Sequence, residues 1–188
     1  MNLHQLLEAA APTFDNLTGK DIGLHPHIFG APFVAVRWKI GGNNGQALVD
    51  FPAGKPPIVS TRGEDTERAF IAANKSLLID FASNLLLQAV ALGTDFTGAR
   101  DRPSKYKPVS SQALARGILS WYKTVNHKMM TNLLATVKAV GGHLPADVVA
   151  AVGKSIGVTR VVELKKRIAS TKASLAKMEA ELAELEAK

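Results

Sequence analysis

The chain has 188 residues, 46% of them apolar, no cysteine and a net charge of +7. That length and apolar content suit one domain with a real core plus an appendage, and the missing thiols exclude a disulfide framework, thiolate metal sites and a cysteine nucleophile. The charge is concentrated. Between Phe96 and Lys138 stand eight cations, Arg100, Arg102, Lys105, Lys107, Arg116, Lys123, Lys128 and Lys138, against one anion, Asp101, which leaves fifteen of each sign elsewhere. A balanced surface with one basic sector is the footprint of a protein that meets a polyanion with one face.

The N-terminal MNLHQLLEAAAPTF has neither a basic leader nor a long apolar core, so no secretory signal is expected, and the expected location is the cytoplasm or a particle assembled in it. A short amphipathic helix over Leu3–Ala10 is expected to close at Ala11-Pro12, followed by a loop with two glycines. In a strand His25 and His27 would point the same way, as two metal ligands must. No third ligand of matching character lies nearby, so they are read as loop histidines and no metal is expected.

Clean alternation follows from Phe33 to Ile40, with Val34, Val36, Trp38 and Ile40 on one face and Arg37 and Lys39 on the other. This predicts a half-buried strand. Gly41-Gly42-Asn43-Asn44-Gly45 makes a turn, and Gln46–Phe51 resumes the strand pattern, giving a hairpin whose exposed face carries cations. The glycine-rich tip precedes a strand, so it lacks the helix N-terminus that makes phosphate-binding loops effective. The connector Phe51–Gly63 leaves room for one short extended segment at Ile58–Ser60.

Glu64, Asp65 and Glu67 favour a helix start there. The helix is expected to run to Leu92, before Gly93, and its second half, Leu77–Leu92, is apolar on nearly every side. Such a helix is a buried one. An apolar run of 16 residues is shorter than the roughly 20 a bilayer requires, so this helix is read as the spine of the fold and no membrane partner is expected. Its polar exceptions, Asp80, Asn84 and Gln88, fall four apart on one stripe that needs hydrogen-bonding partners. Asp80 is expected to be buried with them.

The connector Thr94–Val109 places Arg100, Arg102, Lys105 and Lys107 around Tyr106, with Pro103 and Pro108 denying it regular structure. Cations beside an aromatic on an open loop suit phosphate neutralisation and base stacking. A single helix over Ser110–Val140 then aligns Arg116, Ser120, Lys123 and His127 on one face, with Leu114, Ile118, Tyr122, Val125, Met129, Leu133 and Val137 opposite. The expected nucleic-acid-binding set is Arg100, Arg102, Lys105, Tyr106, Lys107, Arg116, Lys123 and Lys128.

Gly141-Gly142 ends that helix and Pro145 opens another, to about Ile156. Gly153-Lys154-Ser155 has the ending of a phosphate-binding loop, but Val148 stands where its first glycine belongs. Helix, Gly157-Val158-Thr159, helix resembles a helix-turn-helix. Against it, Glu163 occupies the position that should pack inward.

The last segment repeats in sevens: Val161, Ile168, Leu175 and Leu182, with Leu164, Thr171, Met178 and Leu185 offset by three. A helix with so narrow an apolar seam needs a helical partner. In a parallel homodimer the flanking pairs are of like charge, Arg160 with Lys165 and Glu181 with Glu186. Antiparallel, with Val161 on Leu185 and Ile168 on Met178, they become Arg160 with Glu181 and Lys172 with Glu179. Self-association or pairing with a partner helix is therefore expected, antiparallel preferred, through Val161, Leu164, Ile168, Leu175, Met178, Leu182 and Leu185.

These readings combine into an α+β, mostly helical chain: a small N-terminal β-hairpin or sheet packed on a long central helix and further helices, then a C-terminal coiled-coil helix. The core domain is placed at residues 1–157 and the coiled coil at 158–188. No motif supplies a catalytic set or a cofactor site. The expected function is that of a non-enzymatic, oligomer-forming protein whose basic face binds DNA, RNA or another polyanion; the alternative is a structural subunit of a larger particle such as a virion or phage component.

Overall fold

The computed structural model describes residues 12–24, 31–40, 42–52, 54–96 and 102–186. The helix expected at Leu3–Ala10, the His25 and His27 pair and Arg100 lie outside them. The fold is α+β: four strands, β1 (Leu17–Gly23), β2 (Phe33–Ile40), β3 (Asn43–Asp50) and β4 (Ile58–Ser60), precede helices α1 (Asp65–Leu92), α2 (Ser111–Tyr122), α3 (His127–Ala139) and α4 (Ala146–Glu186). The strands form an antiparallel sheet in the order β1-β2-β3-β4. The chain divides into two compact units, Met1–Val148 and Val149–Lys188.

Strand β1 is an element the sequence pattern hid. Its register against β2 shifts between Gly19 and Asp21, so Lys20 is an extra residue in the ladder. One extra residue puts Leu17 and Ile22, both buried, out of the period-2 alternation by which strands are recognised. The β2–β3 hairpin is also tighter than expected, because Asn43, Asn44 and Gly45 pair with Ile40, Lys39 and Trp38 and only Gly41 and Gly42 remain between the strands. Gly45 allows this: a Cβ there would overlap the Trp38 indole that lies across it.

Helix α1 is covered on two sides. Toward the sheet, Phe70 stacks on Trp38 with ring centroids 4.3 Å apart, and Leu78, Phe81 and Leu85 are fully buried. Toward α2, the backbone at Val90 and Ala91 meets Gly117, and Leu114 and Ile118 are buried alongside. The helix is bent at Asn74, where φ and ψ leave the helical region and the side-chain amide donates to the Phe70 carbonyl at 3.0 Å. A side chain competing for a carbonyl one turn back is a known cause of bending.

The single helix expected over Ser110–Val140 is two helices. Asn126 caps α3, its side chain accepting from the Met129 N–H at 3.0 Å, and residues 123–126 form the turn between them. An asparagine that takes a helix N–H favours a new helix start over continuation. The break also shifts the apolar phase: Trp121 and Met130 are buried, while Tyr122 and Met129 are only half-buried. In the other direction, no turn occurs at Gly157-Val158-Thr159, which lies within the continuous 41-residue helix α4. The helix end expected near Ile156 is thereby overturned, and no helix-turn-helix forms there.

The close approach at Gly117 yields a direct test. A Cβ at this position would overlap the Val90 carbonyl oxygen, so Gly117→Ala should cost about 1–3 kcal/mol through overpacking and lower the midpoint of a thermal melt followed by circular dichroism. Gly153→Ala, in a helix and with open space around the added methyl, should raise stability by up to about 1 kcal/mol.

Candidate polyanion interface

The connector between α1 and α2 carries half of the eight cations singled out in the sequence, and the stripe on α1 holds it in place. Asn84, buried at 8% exposure, donates from Nδ2 to the Lys107 carbonyl at 2.9 Å and accepts from the Lys107 N–H at 3.1 Å. The side-chain amide thus pairs with the connector backbone as a neighbouring strand would. Gln88 Nε2 donates to Asn84 Oδ1 at 2.7 Å and to the Lys105 carbonyl at 2.8 Å. Asp80, expected to be buried with them, is exposed. It stands one turn too early to reach the connector, and ionised carboxylates stay in water unless paired.

The connector also closes the outer edge of β1. The Gly19 N–H donates to the Ser104 carbonyl at 2.9 Å, and Lys105 Nζ donates to the Asp15 and Leu17 carbonyls, each at 3.2 Å. Arg102 forms an ion pair with Asp21. Tyr106 stacks on Phe14, with centroids 4.4 Å apart and planes 6° from parallel. Three of the expected binding residues, Arg102, Lys105 and Tyr106, thus already have partners within the chain. Among the described residues, the side chains of Lys107, Arg116, Lys123 and Lys128 are exposed and have no ion pair.

Arg102, Lys105 and Lys107 do meet, on the wall of a cleft of about 610 Å³. Leu92, Val109 and Ala113 supply its apolar surface, and Ser110, which caps α2 by accepting from the Ala113 N–H, stands at one end. Arg116, Lys123 and Lys128 do not line this cleft. The expected alignment of Arg116, Ser120, Lys123 and His127 ends with the helix at Tyr122. Ser120 Oγ is taken by Thr94, accepting from its N–H at 3.1 Å and lying 2.7 Å from its hydroxyl.

A second group of cations lies on the solvent face of the sheet. Arg37 and Lys39 project outward from β2, opposite Gln46 and Asn44 of β3. Lys20, the extra residue of β1, reaches across β2 to donate to Gln46 Oε1 at 3.2 Å, and Arg37 Nε donates to the same oxygen at 3.3 Å. Sharing one neutral acceptor brings the two charges within about 6.5 Å, a repulsion of about 0.6 kcal/mol at the dielectric constant of water and more beside protein. Among the described residues none of the three forms an ion pair. Charge counting along the chain overlooked them because Asp15, Asp21 and Asp50 lie close in sequence. The β2 alternation was the signal that placed Arg37 and Lys39 on one face.

No family model, curated protein or solved structure matches the chain, so the functional reading rests on this geometry.

The clamp is open to test by removing its amide. Asn84→Leu leaves the Lys107 N–H and carbonyl without their partner, removes one of the two acceptors of Gln88 and should cost about 2–4 kcal/mol, with loss of hydrogen-exchange protection at the Lys107 amide. Asp80→Leu, at an exposed position, should change stability by less than about 0.5 kcal/mol. Equal effects from the two substitutions would contradict the assignment.

Proposed function

We propose that the protein is a non-enzymatic assembly protein that forms oligomers through α4 and presents a basic face to nucleic acid or another polyanion. The observation that carries this reading is the exposed seam. Val161, Leu164, Ile168, Leu175, Met178, Leu182 and Leu185 are 45–69% exposed along one continuous helix. A helix of 41 residues is about 60 Å long at 1.5 Å per residue, and most of its seam faces water. Apolar groups repeated every three and four residues from Val161 to Leu185, about 36 Å of that helix, are what a coiled-coil partner covers.

Charge supports pairing with a second copy in antiparallel sense. The first heptad of the seam is cationic at Lys165, Lys166 and Arg167, and the last two carry Glu179, Glu181, Glu184 and Glu186, an order that opposes the helix dipole and is neutralised when two copies run in opposite directions. The same seam suits a subunit docking within a larger particle, such as a virus or phage component. Helix α1 is long and apolar enough to cross a membrane, but the sheet and α2 cover it, which supports reading it as a core helix.

Light scattering after gel filtration tests assembly: the intact chain should be oligomeric, and Ile168→Glu with Leu175→Glu should be monomeric, since each seam residue contributes about 1.5–3 kcal/mol when buried. Single-cysteine variants test direction. Leu185→Cys should crosslink readily to Val161→Cys and poorly to itself, and efficient self-crosslinking would establish a parallel pair instead.

A further inference from the structure

We infer that the solvent face of the sheet, at Lys20, Arg37 and Lys39, is a docking site for the phosphodiester backbone of a nucleic acid. The inference deepens the polyanion-binding half of the proposed function and is independent of assembly through α4. It starts from the one arrangement in the described structure in which cations are held together without a counter-charge. Lys20 Nζ and Arg37 Nε converge on a single neutral oxygen of Gln46, at 3.2 Å and 3.3 Å. Surface cations free to move apart would do so. Here the ladder keeps their points of attachment close, because Arg37 stands opposite Gln46 and Lys20 reaches the same oxygen from the bulge. A bound anion would relieve the repulsion and find its hydrogen-bond donors already oriented.

Lys39 extends the site. Residues two apart on a strand lie about 6.8 Å apart, so Arg37 and Lys39 present charges at a spacing comparable to that of successive phosphates along a nucleic-acid strand. Thr18 and Asn44 flank them in a crevice of about 530 Å³ that also reaches Gln46 and the edge of Trp38. Neutral hydrogen-bonding groups between cations suit a ligand that alternates phosphate with sugar and base. Among the described residues, Glu67 is the one carboxylate lining the crevice; it accepts from the Thr61 hydroxyl at 2.6 Å, and Arg37 and Lys39 in the lining, with Lys20 beside Arg37, keep the face positive. The connector offers less. Lys107 is exposed, but Arg102 and Lys105 beside it are bonded to Asp21 and to backbone carbonyls.

The experiment is fluorescence anisotropy of labelled oligonucleotides, single- and double-stranded, titrated with the full chain at several salt concentrations. Two variants are compared, Lys20→Gln/Arg37→Gln/Lys39→Gln and Lys107→Gln/Arg116→Gln/Lys123→Gln/Lys128→Gln, each checked for native circular dichroism. The sheet variant should bind at least tenfold more weakly at low salt, and the slope of log affinity against log salt should become shallower by about 2 to 3, the loss of three phosphate contacts. The helix-and-connector variant should retain the greater part of the affinity. If the wild type binds and the sheet variant matches it, the inference fails while polyanion binding stands. If the wild type binds neither oligonucleotide, the inference fails; the polyanion reading fails with it only if polyglutamate is not bound either, and binding of polyglutamate alone would assign the face to an acidic protein.

Discussion

A helix that is apolar on nearly every side must be covered from more than one direction, and this requirement at α1 sets the rest of the fold. The sheet supplies one cover and α2 the other. Each cover depends on a missing side chain at closest approach: Gly19 lies against Leu85 on the sheet side and Gly117 against the α1 backbone on the other. Close-packed interiors leave no slack at such points, which makes the two glycines as much a part of the core as Phe81 or Leu78.

The covers would still leave the polar stripe of α1 unsatisfied, and the connector resolves this. Asn84 and Gln88 bond its backbone, its backbone bonds the open edge of β1, and its cations anchor to Asp21 and to the carbonyls at Asp15 and Leu17. Unpaired strand edges invite association with other chains. A segment rich in proline and cations thereby acts as an edge cover, and much of its positive charge goes into holding the unit together.

Charge and apolar surface are divided between the two compact units. The first presents cations, on its sheet face and on α2 and α3. The second presents an apolar seam with cations toward its start and carboxylates toward its end. Under the function proposed, joining copies through the seam would multiply weak contacts to a polyanion without any new contact in each copy, because linked sites bind at high effective concentration.

The sequence by itself determined the buried spine and the β2–β3 pair, because each is written in local periodicity that burial must follow, and it placed β4 and the C-terminal helix, whose apolar seam is exposed. Bulged β1 was hidden, since one extra residue at Lys20 destroys the alternation while leaving the pairing intact. The turn at residues 123–126 was missed because apolar residues continue through it in near-helical spacing, although the cap residue Asn126 was there to read. Conversely, Gly157 looked like a break, and the helix runs through it. Only the tertiary structure decided which cations are engaged and which are free. Arg102 and Lys105 find partners more than eighty residues away in the chain, while Lys20 and Arg37 meet through a glutamine on a third strand, and no local pattern encodes pairings fixed by the docking of distant segments.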